Sequence, residues 1–300
     1  MTVTVSPSAA RVQGNLRGLM AMIVAVVTLS LMDGCLKILS PHYSPLQVAS
    51  IRGLATLPLV LTWIGLRGGY AQVLRVRFSL HAARGLIGIV MITTFTYGVK
   101  QLPLAEAYSI FFIAPLLITA LAVPLLGEYV DWRRWLAIAV GFFGVLVVLR
   151  PGASALTLPG LAVLVTAIGY ALSAITVRVL GRTDTTQSMV FWVMTFIGVG
   201  AGVLAIPQWR PIQPGHWPVI GGLAVTGSFG QWAITEAFKH GEASFIAPFE
   251  YTALAWGLLL DWFVWRTLPP PITFVGAAVI IASGLYLIRR ERVHVEVEHP

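Results

Sequence analysis

From Arg17 to the end of the chain, apolar runs of about 20 residues recur, separated by short segments rich in charge, Pro and Gly. The runs are apolar all round and lack the stripe of period 3.6 that marks a helix on a soluble core. Lipid is therefore the expected solvent. Windows of about 19 residues predict spans at 15–39, 45–66, 80–100, 104–126, 133–150, 158–179, 187–206, 216–239, 243–265 and 271–289. Most connections are too short to fold separately. The expected architecture is an all-α polytopic membrane protein whose ten transmembrane helices form one membrane domain. Residues 1–13 form a disordered cytoplasmic N-terminus, and 291–300 form a cytoplasmic tail.

Composition agrees with this pattern. Of 300 residues 57% are hydrophobic and 11% charged, with a mean hydropathy of +0.83; a soluble domain carries roughly 25% charged residues. The formal net charge of +8 does not imply nucleic acid, because Lys and Arg sit between apolar runs and build no basic helix or patch. Cys35 is the single cysteine, so no intrachain disulfide and no Cys-based metal site can form. The first run, Gly18 to Met32, ends at Asp33, Lys37 and Pro41 without a small-x-small cleavage pattern, so it reads as a retained helix.

Cationic segments near helix ends stay on the cytoplasmic side. With both termini inside, fourteen Lys and Arg residues fall on the inner side, four (Lys100, Arg150, Arg210, Arg266) on the outer, and Lys37 and Arg52 within spans. Adding or losing one span scrambles this bias. The expected location is the cell (inner) membrane.

The chain also repeats itself. Gly18 to Lys37 parallels Gly160 to Arg178. Lys100, Ala105, Gly144-Val145 and Arg150 parallel Lys239, Ala243, Gly284-Leu285 and Arg290, at offsets of 138 to 140 residues. Five spans is an odd number, so a second copy enters the membrane from the opposite side. Such an inverted pair, 14–150 and 151–290, puts a binding site near the midplane between the halves. Pro45 to Arg52, Ala105 to Pro115 with Gly127-Glu128 and Gly141-x-x-Gly144, and Ala243 to Trp256 with Gly276-Ala277 and Ser283-Gly284 resemble the EamA-type families of the drug/metabolite transporter superfamily. The resemblance covers residues 14–290 and implies a secondary active carrier. Its cargo is a small polar organic metabolite: an amino acid, S-adenosylmethionine, a vitamin or a nucleoside-like molecule. The repeats differ where the second half carries Arg266 and the first Glu128.

Ionisable groups within the hydrocarbon cost several kcal/mol unless paired or wetted, which makes each a functional candidate. Towards the outer side lie Asp33, Lys37, Arg52 and Glu106. Asp33 and Lys37, four apart, share a helix face, either as a local ion pair or as part of a gating network. Arg52 sits roughly 10 Å inside span 2 by helical rise, too deep to escape to water, and needs a partner. Towards the inner side lie Arg178, Glu236, Lys239, Glu242 and Glu250. Glu250 lies about two turns into span 9, beside Pro248, which leaves the Ser244 carbonyl without its helical donor; Pro115 does the same to Phe111 in span 4. Glu250 is the candidate substrate or coupling residue, with a structural hydrogen bond as the alternative. Tyr97, Tyr108, Phe112, Tyr170, Trp192, Trp232, Tyr251 and Trp256 are candidate aromatic surfaces for substrate, or else packing. Asp33, Lys37, Arg52, Glu106 and Glu236 are the candidate gate or ion-pair residues.

No P-loop, dinucleotide fingerprint, His-x-x-x-His pair or nucleophile elbow is present, so no cofactor and no metal are expected. Energy must come from a gradient or from exchange, with a proton or counter-substrate as partner. The competing classes are an intramembrane lipid-modifying enzyme and a channel. Scattered acids and histidines disfavour the enzyme. The inverted halves disfavour the channel.

Overall fold

The structure is a computed structural model, and it describes residues 7–66, 70–149 and 157–266 with the isolated positions Val279 and Ala282. Within the first repeat run α1 (Pro7–Leu39), α2 (Pro45–Leu66), the short α3 (Tyr70–Leu74), α4 (Phe78–Gln101), α5 (Leu104–Phe111), α6 (Ala114–Leu126) and α7 (Trp132–Leu149). The second repeat contributes α8 (Leu158–Leu180), α9 (Thr186–Thr195), α10 (Ala201–Ala205), α11 (Trp217–His240), α12 (Ala243–Ile246) and α13 (Ala253–Trp265). A π-turn, Phe196–Gly200, joins α9 to α10, and a 3-10 stretch, Ala247–Thr252, joins α12 to α13. The first nine expected spans are all helical along most of their length, and among the described residues six helical stretches are long and apolar enough to cross a bilayer. The tenth expected span lies outside the described residues.

Two spans break near their middle, and proline causes both breaks. Pro115 opens α6 just after the turn at Phe112–Ile113, and Pro248 lies in the 3-10 stretch that interrupts span nine. A prolyl nitrogen has no N–H to donate, and its ring displaces the preceding turn. Backbone groups freed this way persist at membrane depth only inside protein or against a wet cavity.

The helices pair across the repeats. α1 packs along α11, α4 along α8, and α2 along the α9–α10 span; α5 meets α13, and α6 meets the 3-10 stretch. Exchanging the halves turns the α1–α11 contact into the α8–α4 contact and the α5–α13 contact into the α12–α6 contact, and it maps the pairing of α2 with the α9–α10 span onto itself, as two copies related by a two-fold axis require. Direction follows from the small residues at the seams. Gly18 lies against Gly241, Gly230 against Leu29, Gly227 against Met32 and Gly222 against Cys35, so α1 and α11 are antiparallel. Gly98 against Val163 and Gly169 against Met91 make α4 and α8 antiparallel as well. The tightest seam is Gly53 on Gly198, where a Cβ on Gly53 would strike the opposite backbone. There Ser50 Oγ donates to the Gly198 carbonyl at 2.8 Å, which the π-turn presents. Lipid offers no hydrophobic drive for helix association, so close backbone packing of this kind replaces it.

One end of the bundle carries the starts of α1 and α4 and the end of α11; we call it the proximal end, and the opposite one distal.

Candidate functional site

Between the halves lies a cavity of about 160 Å3, lined from α1, α2, α4, α5, α8, the α9–α10 span, α11 and the break before α13. Its wall is apolar and aromatic. Phe111 and Tyr170 stand 5.2 Å apart across the halves, Phe95 stacks on Tyr108 at 6.4 Å, and Phe112 meets Tyr251 edge-on at 5.4 Å. Into this wall are set four ionisable side chains: Asp33, Arg52, Arg84 and Glu250. Arg52, Arg84 and Glu250 are buried, at 4%, 2% and 4% exposure, and Asp33 is half-buried.

Each acid is held by a tyrosine from the opposite element of its own half. Tyr108 on α5 donates to Asp33 Oδ2 on α1 at 2.9 Å. Tyr170 on α8 donates to Glu250 Oε1 at 2.8 Å. Exchanging the halves puts α8 in place of α1, so the same pair of elements carries the same two groups with the roles swapped. The 3-10 stretch positions Glu250: Pro248 ends the α-helical ladder, and the tighter winding faces the carboxyl into the cavity.

Both arginines come from the first half. Arg52 donates through Nη2 to Gln231 Oε1 at 3.3 Å and points Nε at Met32 Sδ, 3.1 Å away. Arg84 donates through Nε to Ser173 Oγ at 3.3 Å and through Nη1 to the Met189 carbonyl at 2.9 Å. Guanidinium groups at this depth need acceptors or water, and protein acceptors supply part of each donor set.

Of the residues singled out in the sequence, Glu250, Tyr108, Phe112, Tyr170, Asp33 and Arg52 meet at the cavity. Others go elsewhere. Tyr251 is buried beside Phe112, and Tyr97 lines a separate distal hollow with Ser44 and Thr94. Trp232 and Trp256 are each 37% exposed on the outside of the bundle, and Trp192 donates to the Val73 carbonyl at 2.8 Å. The side chain of Glu106 lies outside the described residues. Lys37 does not join Asp33. Its Nζ lies 3.6 Å from Asp261 and 4.5 Å from the Trp265 ring centroid, because α13 passes α1 on that side. A single distal network of Asp33, Lys37 and Arg52 is therefore corrected: Asp33 and Arg52 line the cavity, and Lys37 forms a separate distal ion pair. Glu236 belongs to the proximal end. It accepts from Arg17 at 2.8 Å and from Thr186, with His240 at 3.2 Å.

Arg84, Gln231, Ser30 and Ser173 reach the cavity without having been singled out. Arg84 is one of the fourteen inner-side cations of the sequence, and it sits six residues beyond the start of α4. That is about 9 Å of helical rise, and this depth was the available signal.

Cross-half bonds close both ends. At the proximal end Glu128 accepts from the Ala243 and Ser244 amides at 2.9 and 3.0 Å and from Ser244 Oγ at 2.7 Å. Buried His81 pairs with Asp184 at 2.7 Å. At the distal end Gln47 and Arg210 exchange two amide bonds at 2.6 and 3.0 Å, and Tyr43 meets His216 at 2.8 Å. The fourth and ninth spans end alike: α6 stops on Gly127 with φ 70° and α13 on Arg266 with φ 55°. Arg266 thus answers Gly127, not Glu128.

The model of the EamA-like transporter family matches residues 16–150 and 158–290, one match per half. The chain belongs to the EamA-like transporter family. It is 28% identical to a riboflavin transporter of Vibrio cholerae serotype O1 over 74% of this chain and 76% of that protein. It is 26% identical to the S-adenosylmethionine uptake transporter of Rickettsia prowazekii over 95% and 96%, and 22% identical to the pseudopaline exporter CntI of Pseudomonas aeruginosa over 92% and 97%. A crystal structure at 18% identity shares the fold, with a TM-score of 0.77 over 94% of this chain and 99% of that one. The protein is thus a multi-pass membrane transporter of the drug/metabolite superfamily and not an enzyme, and small molecules are its substrates.

Proposed function

We propose that the chain is a secondary active carrier that takes small polar organic metabolites through the central cavity by alternating access. The observation that carries this reading is the cavity itself: it lies between two inverted halves, is lined by both, and holds four ionisable groups in an aromatic wall. A purely structural interior would fill that space with aliphatic side chains, since each buried charge needs its own partners. The relatives' named cargoes, riboflavin, S-adenosylmethionine and pseudopaline, support a polar organic substrate. Ten spans with both termini cytoplasmic follow from the cation bias, which makes the proximal end the cytoplasmic face of the inner membrane. Coupling is to a proton or a counter-substrate.

Purified protein in liposomes should show saturable uptake that a preloaded unlabelled substrate accelerates from the far side. A flux that rises linearly with concentration and shows no such exchange would favour a channel. A cysteine at Ser44 should react with an impermeant reagent in intact cells and one at Thr185 should not. The reverse pattern would invert the orientation.

A further inference from the structure

Two groups that line the cavity have unfinished hydrogen bonding. Tyr170 occupies Glu250 Oε1, while Oε2 has no partner among the described residues although it is buried. Arg84 spends Nε and Nη1 on Ser173 and Met189, and its Nη2 makes no hydrogen bond among the described residues. Tyr170 and Ser173 lie three residues apart on α8, about 4.5 Å along the helix axis, so one helix tethers both groups. No salt bridge joins Arg84 to Glu250 among the described residues. An acid and an arginine that line one cavity, each anchored by neutral groups and not by the other, are arranged to receive a third party.

We propose that Arg84 and Glu250 are the specificity-determining pair and that the cargo is a zwitterion, its carboxylate on Arg84 and its ammonium on Glu250. This rests on the carrier reading above. Charge balance supports it: among the described residues two acids and two arginines line the cavity, so with all four charged these groups sum to zero. A net-neutral zwitterion enters without leaving an excess charge in a poorly solvated space, whereas a lone cation or anion leaves one. A neutral molecule would leave both arms unpaired, and sites built to pair a group reject analogues that lack it. The apolar remainder of the cargo lies along Phe95, Phe111 and Ile92.

The test is ligand binding by the purified full-length chain, read as thermal stabilisation and as competition. The panel comprises amino acids and S-adenosylmethionine, matched sets such as phenylalanine, phenethylamine and 3-phenylpropionate, and riboflavin. The tightest ligands should be zwitterions, at least tenfold tighter than the amine or acid of the same skeleton. Arg84→Gln should lower the zwitterion-to-amine affinity ratio about tenfold, Glu250→Gln the zwitterion-to-acid ratio, and Arg84→Lys should restore part of the first. A merely structural role lowers stability and all affinities together, leaving both ratios unchanged, and that result would overturn the proposal. So would riboflavin binding more tightly than every zwitterion, or a panel in which no zwitterion binds, while counterflow of another solute leaves the carrier reading intact. Absence of counterflow for every panel member would count against the carrier reading itself.

Discussion

The two ends of the bundle close the same cavity by different chemistry. At the proximal end carboxylates do it: Glu128 gathers three donors at the first turn of span nine, Glu236 ties Arg17 to Thr186, and Asp184 holds His81. At the distal end the cross-half bonds are neutral, an amide exchange of Gln47 with Arg210 and a phenol–imidazole contact of Tyr43 with His216, beside one loose ion pair, Lys37–Asp261 at 3.6 Å. Hydrogen bonds to charged groups contribute about 1.5–3 kcal/mol and neutral ones about 0.5–1.5. The proximal closure is therefore the costlier to open, and this conformer is the one in which the distal end yields first.

Glu128→Ala breaks this comparison most directly. It strips three bonds, two of them from backbone amides at a helix start that favours an anion, and should lower stability by about 3 kcal/mol. A cysteine at Thr185 should become more reactive at the same time. Unfolding by denaturant and labelling rates check both. Glu236→Gln keeps the shape but removes the charge that faces Arg17, with an expected loss of about 2 kcal/mol. A loss no greater than that of the distal variants would erase the difference between the ends.

On the distal side Gln47→Ala should cost about 1 kcal/mol and raise the reactivity of a cysteine at Ser44, leaving Thr185 unaffected. Lys37→Gln should have the smallest effect, below about 1 kcal/mol, because the pair is wide and partly wetted. A Lys37→Gln loss matching that of Glu128→Ala in the same melting experiment would reverse the ranking.

Helix positions were legible because a bilayer enforces length and apolarity on every span; 45–66, for example, is helical along its whole expected range. The two breaks were legible because Pro115 and Pro248 lack a donor. Glu250 and Arg52 were legible because charge at depth demands an explanation. What could not be read was direction: whether Lys37 turns to Asp33 on its own helix or to Asp261 on another depends on which helix passes there. Arg84 was hidden for a related reason. A cation in the first turns of its span counts toward the cytoplasmic bias until the structure shows that it lines the cavity. Tyr108, Tyr170 and Tyr251 looked alike in sequence, yet only the first two hold an acid in the cavity.

The central claim is that the cavity opens alternately to the two sides. Ser30 lines it, and Ser30→Cys in a Cys35→Ser background gives a near-isosteric probe. The measurement is its alkylation rate by an impermeant reagent added to one side of sealed vesicles and then to the other, with and without transported substrate. The account predicts reaction from both sides, slowed from both by substrate. Reaction from one side alone, at a rate that substrate leaves unchanged, would contradict it.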